Sequence, residues 1–174
     1  MRAIGCEIAV LLGFAVCLGG CFQSAEAPPE PSFYRSLAAP GGELDAAAAQ
    51  SMISDYRQKN GLSAVELDPV LMSVAQDEAR AMAARDKLDH GTGRKVTDRI
   101  KAAGYSAKVA AENVGAGYHT LAEAFSGWRD SPPHRTNMLL PGASRMGIAA
   151  VYAPGSKYKV FWSLILAATA EQRG

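Results

Sequence analysis

The sequence predicts an α+β domain, because two helical patterns come first and two strand patterns close the chain. Apolar side chains recur at helical spacing over residues 44–59 and 69–85. Two apolar runs, at residues 146–152 and 158–166, flank a Pro-Gly-Ser turn, which is typical of a β-hairpin. Helices that are segregated from a terminal hairpin favour the α+β class over an alternating α/β fold.

The start of the chain has the pattern of an export signal. Arg2 precedes an apolar run from Ile8 to Leu18, which is shorter than the roughly 20 residues that a membrane-spanning helix needs. The run ends in Leu-Gly-Gly-Cys, which resembles a lipobox with Cys21 as the acylated cysteine. We therefore expect residues 1–20 to be a lipoprotein signal peptide. The alternative is a secretory signal that is cleaved nearby without lipid attachment.

The segment after this leader is predicted to be a linker. Residues 21–42 contain several prolines and a Gly-Gly pair, which favour an extended chain between the lipid on Cys21 and the domain. The other cysteines, Cys6 and Cys17, lie in the leader, so the mature domain has no pair for an internal disulfide. We expect a membrane-anchored lipoprotein that faces the periplasm or the cell exterior. Because Phe22 rather than aspartate follows the cysteine, the outer membrane is favoured in a Gram-negative host.

Length and charge limit the remaining classes. A chain of 174 residues fits one globular domain and a tail, and the domain is predicted over residues 43–170. A net charge of +1 without a basic run gives no indication of nucleic-acid binding. We expect a monomer.

Local signals define the helices of the domain. The second helix is predicted to start after Asp68, with a proline at its first position. Glu78 falls on its apolar side, either as a site carboxylate or as a residue with a structural hydrogen bond. A short helix over residues 97–103 is predicted to end at Gly104. The Gly/Ala-rich residues 105–118 are compatible with a strand but give no clear period.

A third major helix is predicted to end at a sharp corner. It starts with capping-box spacing at Thr120 and runs to about Asp130, where a Pro-Pro pair follows one residue later. Proline cannot continue a helix and favours extended geometry in the residue before it. Ser131 and His134 are therefore expected at this corner, and a last helical turn is predicted after His134 and through Leu139.

Three motifs, in this order, resemble the bacterial branch of the CAP superfamily (SCP-like domains). They are D-H-G at residues 89–91, A-E-N-V at 111–114 and W-x-x-S-P-x-H-R-x-N-M-L at 128–139. The motifs supply two imidazoles and one carboxylate, a set that suits metal binding or proton transfer. The resemblance covers residues 43–168 and implies an α–β–α sandwich, with a small antiparallel sheet between helical layers.

The resemblance also implies a site. Metal-binding CAP domains line a cleft with two histidines and two acidic residues, and His90, Glu112 and His134 match three of these positions. Ser131 stands where the second glutamate is usual. His90 and His134 are then expected to bind zinc, but only weakly, since tetrahedral zinc needs two more ligands. Glu112 either ligates the metal or orients a histidine. If no metal binds, both histidines hydrogen-bond loop backbone.

The expected function is binding of an envelope ligand (a lipid, a glycan or a protein) in this His/Glu-lined cleft. The alternatives are a metal-dependent hydrolase of cell-wall or peptide material and a scaffold whose partner docks elsewhere. Ser131 as a nucleophile beside His134 is disfavoured, because the chain has no G-x-S-x-G elbow and serines before proline commonly cap turns. The sequence therefore assigns no catalytic residue.

The lipobox pattern makes a direct prediction. Metabolic labelling with a fatty-acid analogue should modify the wild-type chain, and Cys21→Ser should abolish the label and leave a precursor of higher mass, because the acylated thiol is then missing. A wild-type protein that is exported but carries no label would contradict lipid attachment.

Overall fold

The structure is a computed structural model and describes residues 29–90 and 93–169. The leader, Cys21 and the first part of the predicted linker lie outside the described residues. The helices are α1 (Ala46–Lys59), α2 (Pro69–Arg85), α3 (Val96–Ala102), α4 (Leu121–Asp130) and α5 (Pro132–Met138). The strands are β1 (Glu66–Leu67), β2 (Ala107–Ala116), β3 (Arg145–Tyr152) and β4 (Val160–Thr169). The predicted α+β class is confirmed, and residues 107–116 form a full strand.

The strands form one sheet in the order β1-β3-β4-β2. β4 pairs antiparallel with both β2 and β3, whereas the two-residue β1 runs parallel to β3. The sheet is thus mixed rather than purely antiparallel, because β1 and its neighbour β3 are joined by a long crossover that includes α2 and not by a hairpin. Among the described strands, β2 forms the edge opposite β1.

Helices cover both faces of the sheet, which confirms the sandwich. Side chains alternate along β4: Trp162 and Leu164 pack with α1, α4 and α5, whereas Ile165 and Ala167 pack with α2 and α3. β4 is buried from end to end except at Thr169, because a helical layer lies on each side.

A glycine on β3 sets the distance between α2 and the sheet. A Cβ atom at Gly147 would lie 2.2 Å from the backbone carbon of Leu71. The helix backbone therefore rests directly on the strand, which larger residues would prevent. This close approach fixes the height of α2 above the sheet, and with it the position of Glu78.

The other layer is centred on Trp128 of α4. Its ring is 1% exposed and meets Trp162 edge to face at 6.3 Å between centroids. The Nε1–H group donates to the carbonyl of Val114 on β2 at 3.3 Å. Trp128 is thus a core residue, and its hydrogen bond ties α4 to the edge strand.

Arg57 of α1 is a buried charge that the sequence pattern does not predict. Its guanidinium is fully buried and donates to four backbone carbonyls, those of Ser63, Met138, Leu140 and Ala143, at 2.9–3.0 Å. Burial lowers the pKa of Arg57 from its ordinary value. Because these carbonyls lie in the loop after α1, at the end of α5 and in the segment before β3, Arg57 fixes the end of α5 against α1.

Part of the predicted linker packs on the domain. Ser32–Tyr34 forms a short 3-10 helix, and Phe33 contacts the core. Leu37 is 5% exposed and its N–H donates to the carbonyl of His119 at 2.7 Å. This packing differs from the extended linker that the sequence predicts for residues 21–42, since Leu37 is buried and Phe33 is partly buried instead of solvated. No helix within the described ranges is long and apolar enough to cross a membrane.

Helix ends follow the local signals, with one exception. Asp68 caps α2 through Val70 and Leu71, and Thr120 forms the predicted capping box on α4. Ser131 is the extended residue between α4 and α5, as the sequence predicts. The expectation that helix resumes only after His134 is wrong: α5 already begins at Pro132, because the first helical positions need no N–H donor.

Candidate functional site

The site is built around Glu112 on the edge strand. Glu112 is paired with Ile165 in the sheet register, so its side chain points into the layer of α2 and α3. Its side chain is 2% exposed. The hydroxyl of Ser163, on the neighbouring strand, donates to Glu112 Oε1 at 3.0 Å. This carboxylate is thus held on a rigid sheet and not on a loop.

Arg99 of α3 lies between Glu112 and a second carboxylate. Its Nη2 donates to Glu112 Oε2 at 2.5 Å, and its Nη1 lies 2.8 Å from Glu78 Oε2. The second contact has the distance of an ion pair without hydrogen-bond geometry, and Glu78 has no hydrogen-bond partner among the described residues. The side chains of Arg99 and Glu78 are 8% and 0% exposed. One guanidinium therefore lies between carboxylates from α2 and β2.

The two carboxylates differ in their acidity. Burial by itself raises the pKa of Glu112, but hydrogen bonds from His90, Arg99 and Ser163 and the charge of Arg99 together hold it below its ordinary value. Burial raises the pKa of Glu78; the charge of Arg99 opposes this rise and the charge of Glu112 adds to it. Glu112 is thus the ionised acceptor of the pair.

His90 meets Glu112 from the solvent side. Its Nδ1 lies 3.0 Å from Glu112 Oε2, while 63% of its side chain is exposed. An ionised carboxylate only accepts hydrogen bonds, so Nδ1 carries the proton and Nε2 remains available to solvent. The hydrogen bond to Glu112 raises the pKa of His90, whereas burial opposes the increase. We call Glu78, Arg99, Glu112 and His90 the floor network.

A cavity of about 480 Å³ opens beside the floor network. It lies between the start of α3 and the edge strand β2. Its lining consists of His90, Gly93, Arg94, Lys95, Val96, Thr97, Ala110 and Glu112. The volume is within the range of small-ligand pockets, which lie between roughly 300 and 1,000 Å³.

The corner residues lie on the other side of β2. Asn113 follows Glu112 on the strand, so its side chain points to the opposite face. It donates to the backbone carbonyl of His134 at 2.9 Å, and Asn137 donates to the carbonyl of Glu112 at 3.0 Å. Burial lowers the pKa of His134, and the charge of His90 lowers it further. His134 is therefore within electrostatic reach of His90 but does not line the cavity.

The structure thus brings together two of the four predicted site residues. His90 and Glu112 are in contact, whereas Ser131 and His134 belong to the α4–α5 corner. Within the described part of the chain, no hydrogen bond links the Ser131 hydroxyl to an imidazole. Ser131 instead accepts the N–H of Arg135 with its backbone carbonyl.

Sequence reasoning missed Arg99 and Ser163. A signal for Arg99 was present, because an acidic residue on a buried helix face needs a cation, and Glu78 is such a residue. The pattern did not show which of the chain's arginines and lysines supplies it, since Arg99 is 21 positions away on another helix. Ser163 sits in an apolar strand run and carries no pattern of its own.

The residues present are a poor fit for zinc. Both oxygens of Glu112 already accept hydrogen bonds, and the guanidinium of Arg99 lies against one of them. Over residues 29–90 and 93–169, no three histidine, cysteine, aspartate or glutamate side chains form a group that could hold a metal ion. Of the expected ligands, the Nε2 atom of His90 and the ring of His134 remain. Weak zinc binding at these two histidines stays a prediction.

Comparisons with known proteins agree with the fold. A family model described as the cysteine-rich secretory protein family, CAP, matches residues 50–166. Over 97 residues the chain is 33% identical to the uncharacterized protein YkwD of Bacillus subtilis; this match spans 55% of the chain and 38% of that protein.

Two solved structures share the architecture. An outer surface protein of Borrelia burgdorferi aligns with a TM-score of 0.65 at 20% identity, over 72% of this chain and 93% of that one. An extracellular protein with an SCP domain from Bacillus anthracis aligns with a TM-score of 0.61 at 20% identity, over 71% of this chain and 40% of that one. At this identity the likeness concerns the fold.

The contacts of the floor network predict that the two histidines have different pKa values. By NMR, the pKa of His90 should lie above the ordinary value near 6.5 and that of His134 below it. In Glu112→Gln the pKa of His90 should fall, because the anionic partner is lost. A group whose pKa is raised on folding contributes its full stability below the pKa of the unfolded chain. The contribution of the His90–Glu112 pair to the free energy of unfolding should therefore be lost as the pH rises through the pKa of His90 in the folded protein. Equal pKa values for both rings, unchanged by Glu112→Gln, would contradict the network.

Proposed function

This chain belongs to the cysteine-rich secretory protein (CAP) family, and from that premise we propose that it binds an envelope ligand in the cleft beside His90 and Glu112. The observation that supports this most directly is the cavity itself. It is preformed, open to solvent and of small-ligand size, and its floor presents one exposed imidazole on a buried, hydrogen-bonded carboxylate. Preformed cavities with a few fixed polar groups are typical of binding sites.

The same geometry supports binding more than catalysis. A nucleophile needs a base within hydrogen-bond reach, and Ser131 forms no such pair among the described residues. Glu112 is held by three donors and is therefore a poor general base. In the floor network these groups hold His90 in one orientation, which is what a recognition site requires.

We place this binding outside the cytoplasm. The leader pattern, with its apolar run and Cys21, supports export and lipid attachment. The names of two structural relatives, an outer surface protein and an extracellular protein, agree with that location. The lipid on Cys21 would bring the cleft close to the membrane and to the wall material around it.

Photo-crosslinking tests whether the cleft engages an envelope component. The full chain carries the photoreactive residue benzoylphenylalanine at Thr97, an exposed position that lines the cavity, or at Gln58, an exposed control on α1 in the opposite layer. Irradiation with isolated bacterial envelopes should give a covalent adduct from Thr97 and not from Gln58. His90→Ala should remove most of that adduct, because the imidazole borders the cavity.

Adducts that form equally from both positions would show that contact is not specific to the cleft. An absence of adduct from Thr97, with normal folding of the labelled protein, would contradict the proposed function. An adduct that persists unchanged in His90→Ala would place the ligand elsewhere in the cavity and remove the imidazole from the binding role.

A further inference from the structure

We infer that the cleft takes an anionic group of its ligand, a phosphate or a carboxylate, where the family resemblance suggested a metal cation. The inference rests on the proposed function, because it names the ligand chemistry of the same cavity. The charged residues that line the cavity differ in this respect: the acidic one is paired with cations, whereas the basic ones face the solvent.

The acidic side of the cleft is closed to a cation. Glu112 is the acidic member of the cavity lining, and Ser163, His90 and Arg99 all donate to its two oxygens. Arg99 is a permanent cation, so a divalent ion at Glu112 would face a like charge at contact distance. Displacing Arg99 instead would leave Glu78 buried without a cation, which is costly.

Two other acids next to the cleft, Asp89 and Glu78, are compensated or lie behind it. Asp89, next to His90, pairs with Arg85 and Lys87 at 3.0 and 3.1 Å. Glu78 lies behind Arg99 and lines a second cavity of about 280 Å³ between α2 and α3. Neither carboxylate therefore presents an uncompensated negative charge to the larger cavity.

The basic side of the cleft is open. Arg94 and Lys95 line the cavity at the start of α3 and are exposed, and no salt bridge in the described ranges involves either of them. Arg94 also borders the second cavity. Two positively charged side chains thus line the same cavity as His90, and together they favour an acceptor with negative charge.

The lining also limits what carries the anion. Val96 and Ala110 contribute apolar surface between the basic side chains and the strand, while Thr97 adds a hydroxyl. The ligand therefore presents its phosphate or carboxylate to Arg94 and Lys95 and lays a partly apolar body against Val96 and Ala110. A bare inorganic ion would use only half of this surface.

Titrations followed by NMR on the full chain test the anion preference with matched probe pairs. Glycerol 3-phosphate is compared with glycerol, and N-acetylmuramic acid, a sugar with a carboxylate, with N-acetylglucosamine. The anionic member of at least one pair should shift the resonances of Arg94, Lys95 and Thr97, and its neutral partner should not. The two pairs distinguish a phosphate from a carboxylate as the preferred group.

A charge-matched pair of variants separates the cleft from the overall field of the protein. Arg94→Gln/Lys95→Gln should lower the affinity for the anionic probe about tenfold, because two solvent-exposed charged contacts to the anion are lost. Arg35→Gln/Lys59→Gln removes the same charge from exposed sites and should change the affinity less than about twofold, since screening weakens distant charges.

Three results would overturn the inference. The first is that neither anionic probe shifts the resonances of the cavity residues. The second is that both double variants weaken binding of the anionic probe equally. The third is that zinc at micromolar concentration shifts the resonances of His90 and His134 together. If the neutral sugar binds in the cleft and the anions do not, the anion preference fails while the proposed function stands. If Thr97 also gives no crosslink to envelopes, both fail.

Discussion

The structure of the site depends on one buried guanidinium. Arg99 approaches Glu78 and Glu112 from a third element, so α2, α3 and β2 meet at a single charge. Without it, two carboxylates that are almost fully buried would lie close together with no cation, and at least one of them would have to take up a proton. Glu112 orients His90 as an ionised acceptor, and Arg99 lowers the pKa of Glu112 together with the hydrogen bonds from His90 and Ser163. The shape and charge of the cleft therefore follow from the position of Arg99.

The edge position of β2 explains how the site divides. Glu112 and Asn113 are neighbours in sequence but point to opposite faces of the sheet. On one face, Glu112 receives His90 and Arg99 and forms the floor of the cavity. On the other, Asn113 holds the backbone of α5 and thereby His134. His90 thus contacts Glu112 on one face and the backbone of His134 is bound by Asn113 on the other, while the two imidazoles remain within electrostatic reach.

Local sequence signals predicted much of the fold. Features that depend on partners distant in the sequence could not be predicted. The cap at Asp68 and the capping box at Thr120 depend on residues within three positions, so the sequence shows them directly. The strand β2 is rich in alanine, and its buried half shows no alternation because helices cover both of its faces. Three of the carbonyls that Arg57 binds lie more than 80 positions away. Because every residue has a backbone carbonyl, no residue type indicates these partners. His90 and Glu112 were predicted from their motifs, whereas Arg99, which joins Glu112 to Glu78, was not.

A double-mutant cycle on unfolding free energy tests the central role of Arg99 most directly. Arg99→Met should cost about 3–5 kcal/mol, because it strands Glu78 and Glu112 without a cation. Combining it with Glu112→Gln should cost less than the sum of the single changes, with a coupling of about 1–3 kcal/mol. If Arg99→Met does not fold, Arg99→Lys, which keeps the charge but not the fork, replaces it in the cycle. Costs that add within about 0.5 kcal/mol would show that Arg99 does not act through Glu112, and would contradict this account of the cleft.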